Sequence, residues 1–170
     1  VNRIFATLIG LGLASPIYAQ DFMQQWRDGA IVAMNAFRAG HLDQIKAQGW
    51  QFVGGAESSE GIPNSDVFVK DVKVLDGPMR SAYVLNVSYV PIQASGLPEY
   101  QATKALILFN CAERSYEYRS VERYMNVEGS GNPNSSDTRK AGAASSLELK
   151  GAELLSMEKN LFENVCSAKT

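Results

Sequence analysis

From Ala82 to Tyr89 the chain reads AYVLNVSY, with Tyr83, Leu85, Val87 and Tyr89 on one side of a two-residue repeat and Val84, Asn86 and Ser88 on the other. That period predicts a strand with one apolar face. An extended run through Val67 and Val69 into VKVL precedes it and turns at DGP, residues 76–78. A third alternating run, ALILFN, reaches Cys111, and a fourth begins after Glu113-Arg114. With Glu113-Arg114 as a two-residue turn, Cys111 faces Tyr116, Phe109 faces Tyr118 and Ile107 faces Ser120 on one side of the sheet. Asn110 with Glu117 and Leu108 with Arg119 take the other side. Glu-Arg lacks the glycine of a tight primed turn, so a longer turn stays open. Trp50 to Gly54 forms a further short strand after Gly49.

The period changes at the two ends. Phe22, Trp26, Ala30, Ala33 and Phe37 recur at helical spacing behind a capping Asp21, with Gly40 ending or bending the helix and a short second helix over Leu42 to Ala47. Met157, Leu161 and Val165, with Phe162 and Cys166 alongside, form the apolar stripe of a last helix capped by Ser156. Its other face carries Glu158, Lys159, Glu163 and Asn164. Between the strands lie loops at 54–65 and 91–101, and a small, polar, glycine-rich segment at 127–146 whose composition favours mobility. LEL, 147–149, reads as a last short strand. The fold class is α+β: an antiparallel sheet of about five or six strands, a C-terminal helix on one face and an N-terminal helical segment.

Composition refines the picture at the N-terminus. Arg3 followed by the eleven-residue apolar run Ile4–Ala14, too short to span a bilayer, predicts an export leader cleaved after Ala19. No cysteine follows the run to carry a lipid, and no later stretch is apolar enough to cross a membrane. The domains are then 1–19 leader, 20–48 helical segment and 49–170 sheet domain. About 150 residues remain, enough to bury a core without a metal. Of 16 Lys and Arg only Arg3 lies in the leader, leaving 15 against 18 acids, or −3. That balance argues against nucleic acid as a partner.

Export changes how the two cysteines read. In an oxidising compartment they pair, and two cysteines allow one internal pairing. Cys111–Cys166 closes a loop of about 55 residues, worth roughly 4 kcal/mol in the chain-entropy model. A nucleophilic cysteine needs a base, and the one histidine, His41, sits in the N-terminal segment. Two cysteines and one histidine also leave a zinc set short of a ligand. The hairpin puts Cys111 on the greasier side of its ribbon, and the helical stripe puts Cys166 beside the apolar face. Both patterns independently bury the proposed bond.

No G-x-S-x-G, H-E-x-x-H, P-loop or usable glycine fingerprint occurs; Gly10 and Gly12 belong to the leader, and Glu57 with Glu60 lies in a loop. The expectation is a protein that is not an enzyme and carries no cofactor. Its partner would be an unidentified protein, met through the three loops, with Tyr100, Tyr124, Arg139 and Lys140 as candidate contacts; the alternative for either tyrosine is a place in the core, and for Arg139-Lys140 a solvated loop. The alternatives are a haem or small-ligand carrier, for which His41, Tyr116 and Tyr118 are the nominal iron ligands, and a structural envelope subunit. A homodimer through an exposed sheet edge is one such assembly.

Several stretches together resemble a known family. They are ALILFNCAERSYEYRS, a strand ending in cysteine; the following Tyr124 and Gly129; the closing NVC of Asn164 to Cys166; and VFVKDVKVLDG followed by AYVLNVSY. Over about residues 66 to 166 this is similar to the surface-adhesin protein E family of bacterial exported proteins. The resemblance implies a small antiparallel sheet with a helix packed on it, in the periplasm or on the outer surface of a bacterial cell. Its best-known member binds host matrix and serum proteins and haem, and dimerises. Two departures stand out. Leu147 and Leu149 lie where the family often has a tryptophan, and Phe22 to Ala47 has no counterpart. No binding residue is carried over, because function lives in sites rather than folds.

Overall fold

The computed structural model describes residues 16–58, 61–138 and 154–168. Its elements in order are α1 (Pro16–Ala47), β1 (Gln51–Glu57), β2 (Pro63–Val74), β3 (Met79–Ile92), β4 (Tyr100–Asn110), β5 (Ser115–Tyr124), β6 (Ser135–Thr138) and α2 (Leu154–Cys166). The six strands form one antiparallel meander in sequence order. The class is therefore α+β, with α2 on one face of the sheet and the second half of α1 on the other. The stretch 147–149, expected as a strand, lies outside the described residues.

Two apolar layers follow from the alternation. Val67, Val69, Ala82, Val84, Ile107 and Phe109 face α2, where Phe162 and Val165 complete the layer. Phe68, Leu85, Val87, Tyr89 and Tyr124 face α1, joined by Ile45, Trp50, Met34 and Leu42. The central strands are thus greasy on both sides, as a sheet covered on both faces requires.

The helical expectation at the N-terminus needs correcting in three respects. First, α1 is continuous through Gly40, as it is through Gly29, since a glycine costs about 1 kcal/mol in a helix without breaking it. Second, it begins at Pro16, a residue suited to a first helical turn. It stops at Gly49, whose φ of 87° is the left-handed cap conformation. Third, the buried stripe is not the predicted one. Trp26 is 65% and Phe37 43% exposed, whereas Ile45 is fully buried. The side chain of Phe22 is outside the described residues.

The loops also shift. Most of 54–65 belongs to β1 and β2, with the Gly61 amide donating to the Ser58 carbonyl at 2.9 Å between them, and 91–101 shrinks to 93–99. β6 lies inside the segment expected to be mobile. At the β4–β5 turn the longer alternative holds. The observed pairs are Asn110 with Ser115, Phe109 with Tyr116, Leu108 with Glu117 and Ile107 with Tyr118. Cys111 to Arg114 make a four-residue turn in which Asn110 Oδ1 accepts from the Ala112 and Glu113 amides, both at 3.2 Å. Arg114 takes a φ of 53°. The register moves by two positions, so the predicted faces survive although the predicted partners do not.

Gly129, after β5, has a φ of 58°, and a Cβ there would lie 2.6 Å from Leu85 Cδ1 in the α1-side core. Gly129→Ala is expected to destabilise the fold by about 1–3 kcal/mol, from left-handed strain and overpacking together. Urea denaturation of the variant measures it, and a loss within error of zero would refute the packing.

Candidate functional site

A helix is about 10 Å across and strands lie about 4.8 Å apart, so one helix covers roughly two strands. α2 lies beside β1: Gln51 Nε2 donates to Asn164 Oδ1 at 3.0 Å, and a Cβ on Gly54 would be 3.6 Å from Asn160. The inward face of β3, β4 and β5 therefore extends beyond the helix. There a cleft of about 260 Å³ opens, floored by Val67, Val84, Ala105 and Ile107 and walled by Met157, Leu161 and Phe162. Asn86, Thr103, Tyr116, Tyr118 and Glu158 are its polar members.

The C-terminal end of the wall is fixed covalently. Cys111 and Cys166 form the expected disulfide, with Cα atoms 5.7 Å apart. Phe162 stacks edge-on to Phe109 at 5.3 Å and lies 6.1 Å from the Tyr116 ring. The Tyr116 and Tyr118 rings meet edge-to-face at 5.6 Å.

Tyr116 Oη lies 3.4 Å from Glu158 Oε1, a long hydrogen bond. Burial first, then the neighbouring Tyr118 and Glu158, push the Tyr116 phenol well above its usual range. It stays neutral and acts as a donor. The other carboxyl oxygen, Glu158 Oε2, is buried and has no hydrogen-bond donor among the described residues. A buried acceptor without a donor is costly, by about 1–3 kcal/mol or more when charged. The cleft is thus an apolar slot with one acceptor awaiting a donor.

The other face carries a polar cluster that fastens α1. Asp66 is fully buried. Arg38 donates to both of its oxygens, Nε to Oδ2 at 2.8 Å and NH2 to Oδ1 at 2.7 Å, and Tyr89 Oη donates to Oδ2 at 2.5 Å. The cluster needs glycine at position 55: a Cβ there would lie 2.1 Å from Asp66 Oδ1 and 2.7 Å from Arg38 NH2. His41 Nδ1 lies 2.6 Å from Glu128 Oε1, an ion pair when the imidazole is protonated.

The residues expected to meet a partner are not gathered into one site. Tyr100 is half-buried beneath Arg123, whose guanidinium carbon is 5.9 Å from the ring centroid. Tyr124, read from the sequence as a contact or a core residue, is a core residue, 2% exposed. Its position in the α1-facing layer buries the ring, while its hydroxyl donates to Glu122 at 2.6 Å and accepts from Lys104 at 2.6 Å. Arg139 and Lys140 lie outside the described residues. Of the nominal haem ligands, Tyr116 and Tyr118 line the cleft but His41 lies on the opposite face of the sheet. The three do not form one ligand set. The meander does bring the β1–β2 connection and the turns at 93–99 and 125–134 to a single end of the sheet, opposite the disulfide. Two of them are pinned together by Asn134 Nδ2 donating to the Glu99 carbonyl at 3.0 Å.

Sequence reasoning missed Glu158, Arg38 and Asp66. Glu158 was assigned to the solvent face of its helix. The signal available for the other two was a charged residue at a position flanked by apolar ones, as in NSDVFV. Compared with known proteins, the chain matches no protein-family model, no curated protein and no solved structure.

Proposed function

We propose that this is an exported, non-catalytic binding protein. Its ligand site would be the cleft beside α2, and its ligand class small, mostly apolar molecules with one hydrogen-bond donor, such as a long-chain amine or alcohol. The observation that carries this reading is Glu158 Oε2, a buried acceptor that meets no donor among the described residues, in an apolar slot of about 260 Å³. That volume is near the lower limit of small-molecule sites, which run about 300–1,000 Å³. A haem-sized macrocycle would need α2 to move, and α2 is tied down at Cys166. Export is supported by the disulfide, which persists outside reducing compartments, and by the apolar run at the N-terminus.

Titration calorimetry with n-octylamine, n-octanol and n-octanoate tests this reading. The amine and the alcohol are expected to bind, and octanoate to bind at least about tenfold more weakly, since like charges 4 Å apart at a protein surface repel by several kcal/mol. Glu158→Gln should remove most of the preference for the amine, and Ala105→Leu should fill the slot and block all three. No binding by any of them would sink the proposal.

A second reading rests on the three turns at one end of the sheet. With the resemblance to surface-adhesin protein E, it makes that end a contact for an extracellular or envelope protein. A pull-down from matrix and envelope extracts, repeated with Asn134→Ala and with the 93–99 turn replaced by glycine and serine, tests it. Capture that both changes leave intact would rule out this end as the contact.

A further inference from the structure

The floor of the cleft does not end with its apolar part. One row across the strands continues it toward the end of the sheet opposite the disulfide. Val67 opposes Asn86, Asn86 opposes Thr103, Thr103 opposes Arg123, and Arg123 opposes Ser135. Residues directly opposed across strands share a face. Val67, Asn86 and Thr103 line the cleft, so Arg123 and Ser135 carry the same floor on to the edge strand.

Three features mark the far end of this row as a seat for a polar head group. Ser135 Oγ is buried and has no hydrogen-bond partner among the described residues. Arg38 and Lys104 each hold a carboxylate, whereas Arg123 meets none among the described residues. Its guanidinium lies over the Tyr100 ring, 5.9 Å from the centroid. A guanidinium stacked in this way keeps its planar N–H edge for a two-oxygen anion. The backbone around it is braced, because the Asn134 amide donates to the Arg123 carbonyl at 2.7 Å and Asn134 Nδ2 donates to the Glu99 carbonyl at 3.0 Å. Asp137, the acid on the same face of β6, opposes Val121 one step away and has an interaction of its own.

We propose that the ligand of the cleft is a chain with two heads, an ω-amino or ω-hydroxy fatty acid. This inference rests on the slot reading above and adds the second head to it. The ammonium or hydroxyl end meets Glu158 Oε2, the methylenes lie over Val84, Ala105 and Ile107, and the carboxylate meets Arg123 and the Ser135 hydroxyl. Length follows from the register. Tyr116, whose hydroxyl reaches Glu158, opposes Phe109, and Arg123 opposes Thr103. Those two positions on β4 lie about 20 Å apart at the rise of a strand, so a long chain is needed and a short amino acid cannot bridge them. Charge sets the orientation: Glu158 repels the carboxylate and Arg123 repels the ammonium, so the chain enters one way round. A fatty acid with a single head would bury Glu158 Oε2 still without a donor, and a fatty amine would leave Arg123 and Ser135 unmet.

Titration calorimetry on the full chain tests it, with dodecylamine, dodecanoate, ω-aminododecanoate and ω-hydroxydodecanoate, each below the concentration at which it aggregates. The amino acid is expected to bind at least about tenfold more tightly than dodecylamine, and the hydroxy acid at least about tenfold more tightly than dodecanoate. A chain whose far end hung in solvent would gain nothing from the added carboxylate. Arg123→Gln should bring ω-aminododecanoate to within about threefold of dodecylamine, and Ser135→Ala should narrow the same gap by a smaller factor. Octylamine is too short to reach the row and reports on the slot alone. If octylamine binds and the carboxylate adds no affinity, the second head is refuted and the slot reading stands. If octylamine does not bind, both fall. An advantage for the amino acid that survives Arg123→Gln would also overturn the proposal.

Discussion

Arg38→Ala is expected to destabilise the protein by about 3–5 kcal/mol, because it leaves Asp66 charged and buried without its cation. Asp66 is fully buried, and Arg38 holds both of its oxygens at 2.7–2.8 Å. Tyr89 donates a third bond, and its phenol is pushed above its usual range by burial and by that bond to Asp66. The effect belongs to the unpaired carboxylate rather than to the lost helix contact. Adding Asp66→Asn to Arg38→Ala should therefore recover a large part of the loss, and the coupling between the two sites should exceed about 1 kcal/mol. Urea denaturation of the four proteins in the cycle measures this. A loss below about 1 kcal/mol for Arg38→Ala alone would mean that α1 is not fastened through Asp66. Amide exchange gives a spatial check. The segment from Met34 to Ala47 should lose protection in Arg38→Ala well before β3 and β4 do.

Removing the disulfide, as Cys111→Ser with Cys166→Ser, is expected to cost about 4 kcal/mol, the chain-entropy value for a loop of 55 residues. Two consequences should separate it from a general loss of stability. Amide exchange should quicken first in α2, because Leu161, Phe162 and Val165 would hold the helix by packing alone. Octylamine binding should weaken even where the sheet remains folded, because α2 is one wall of the cleft. If α2 keeps its protection and the midpoint falls by less than the equivalent of about 1 kcal/mol, the bond is incidental to the architecture.

The sheet and α2 were legible because their patterns are local. Alternation along AYVLNVSY and ALILFN marks strands wherever they end up, and Met157, Leu161 and Val165 at steps of four mark a helix that must bury one side. Even the β4–β5 turn, misplaced by two registers, kept its faces, because a shift by two leaves the period-two phase intact. The cysteine pairing was legible for a different reason: two sulfurs outside a reducing compartment have one internal solution.

α1 was the hard case. By spacing alone Phe22, Trp26, Ala30, Ala33 and Phe37 make the greasier stripe, and in an isolated helix that stripe would be the one to bury. The fold buries Met34, Leu42 and Ile45 instead. Arg38 lies on that side, and reaching Asp66 across Gly55 forms a charge-assisted pair that no neighbouring residue in sequence announces.

Sequence by itself determined the α+β class, the five longer strands, the faces of the β4–β5 hairpin, the last helix and the disulfide, because each follows from a period or a pairing within reach of local rules. Only the tertiary structure decided which side of α1 is inside, where the cleft opens and that Glu158 Oε2 is buried away from any donor among the described residues. Those depend on how far one helix reaches across a six-stranded sheet and on a salt bridge between residues 28 positions apart. Neither the width of a helix against a sheet nor a long-range charge pair leaves a periodic trace along the chain.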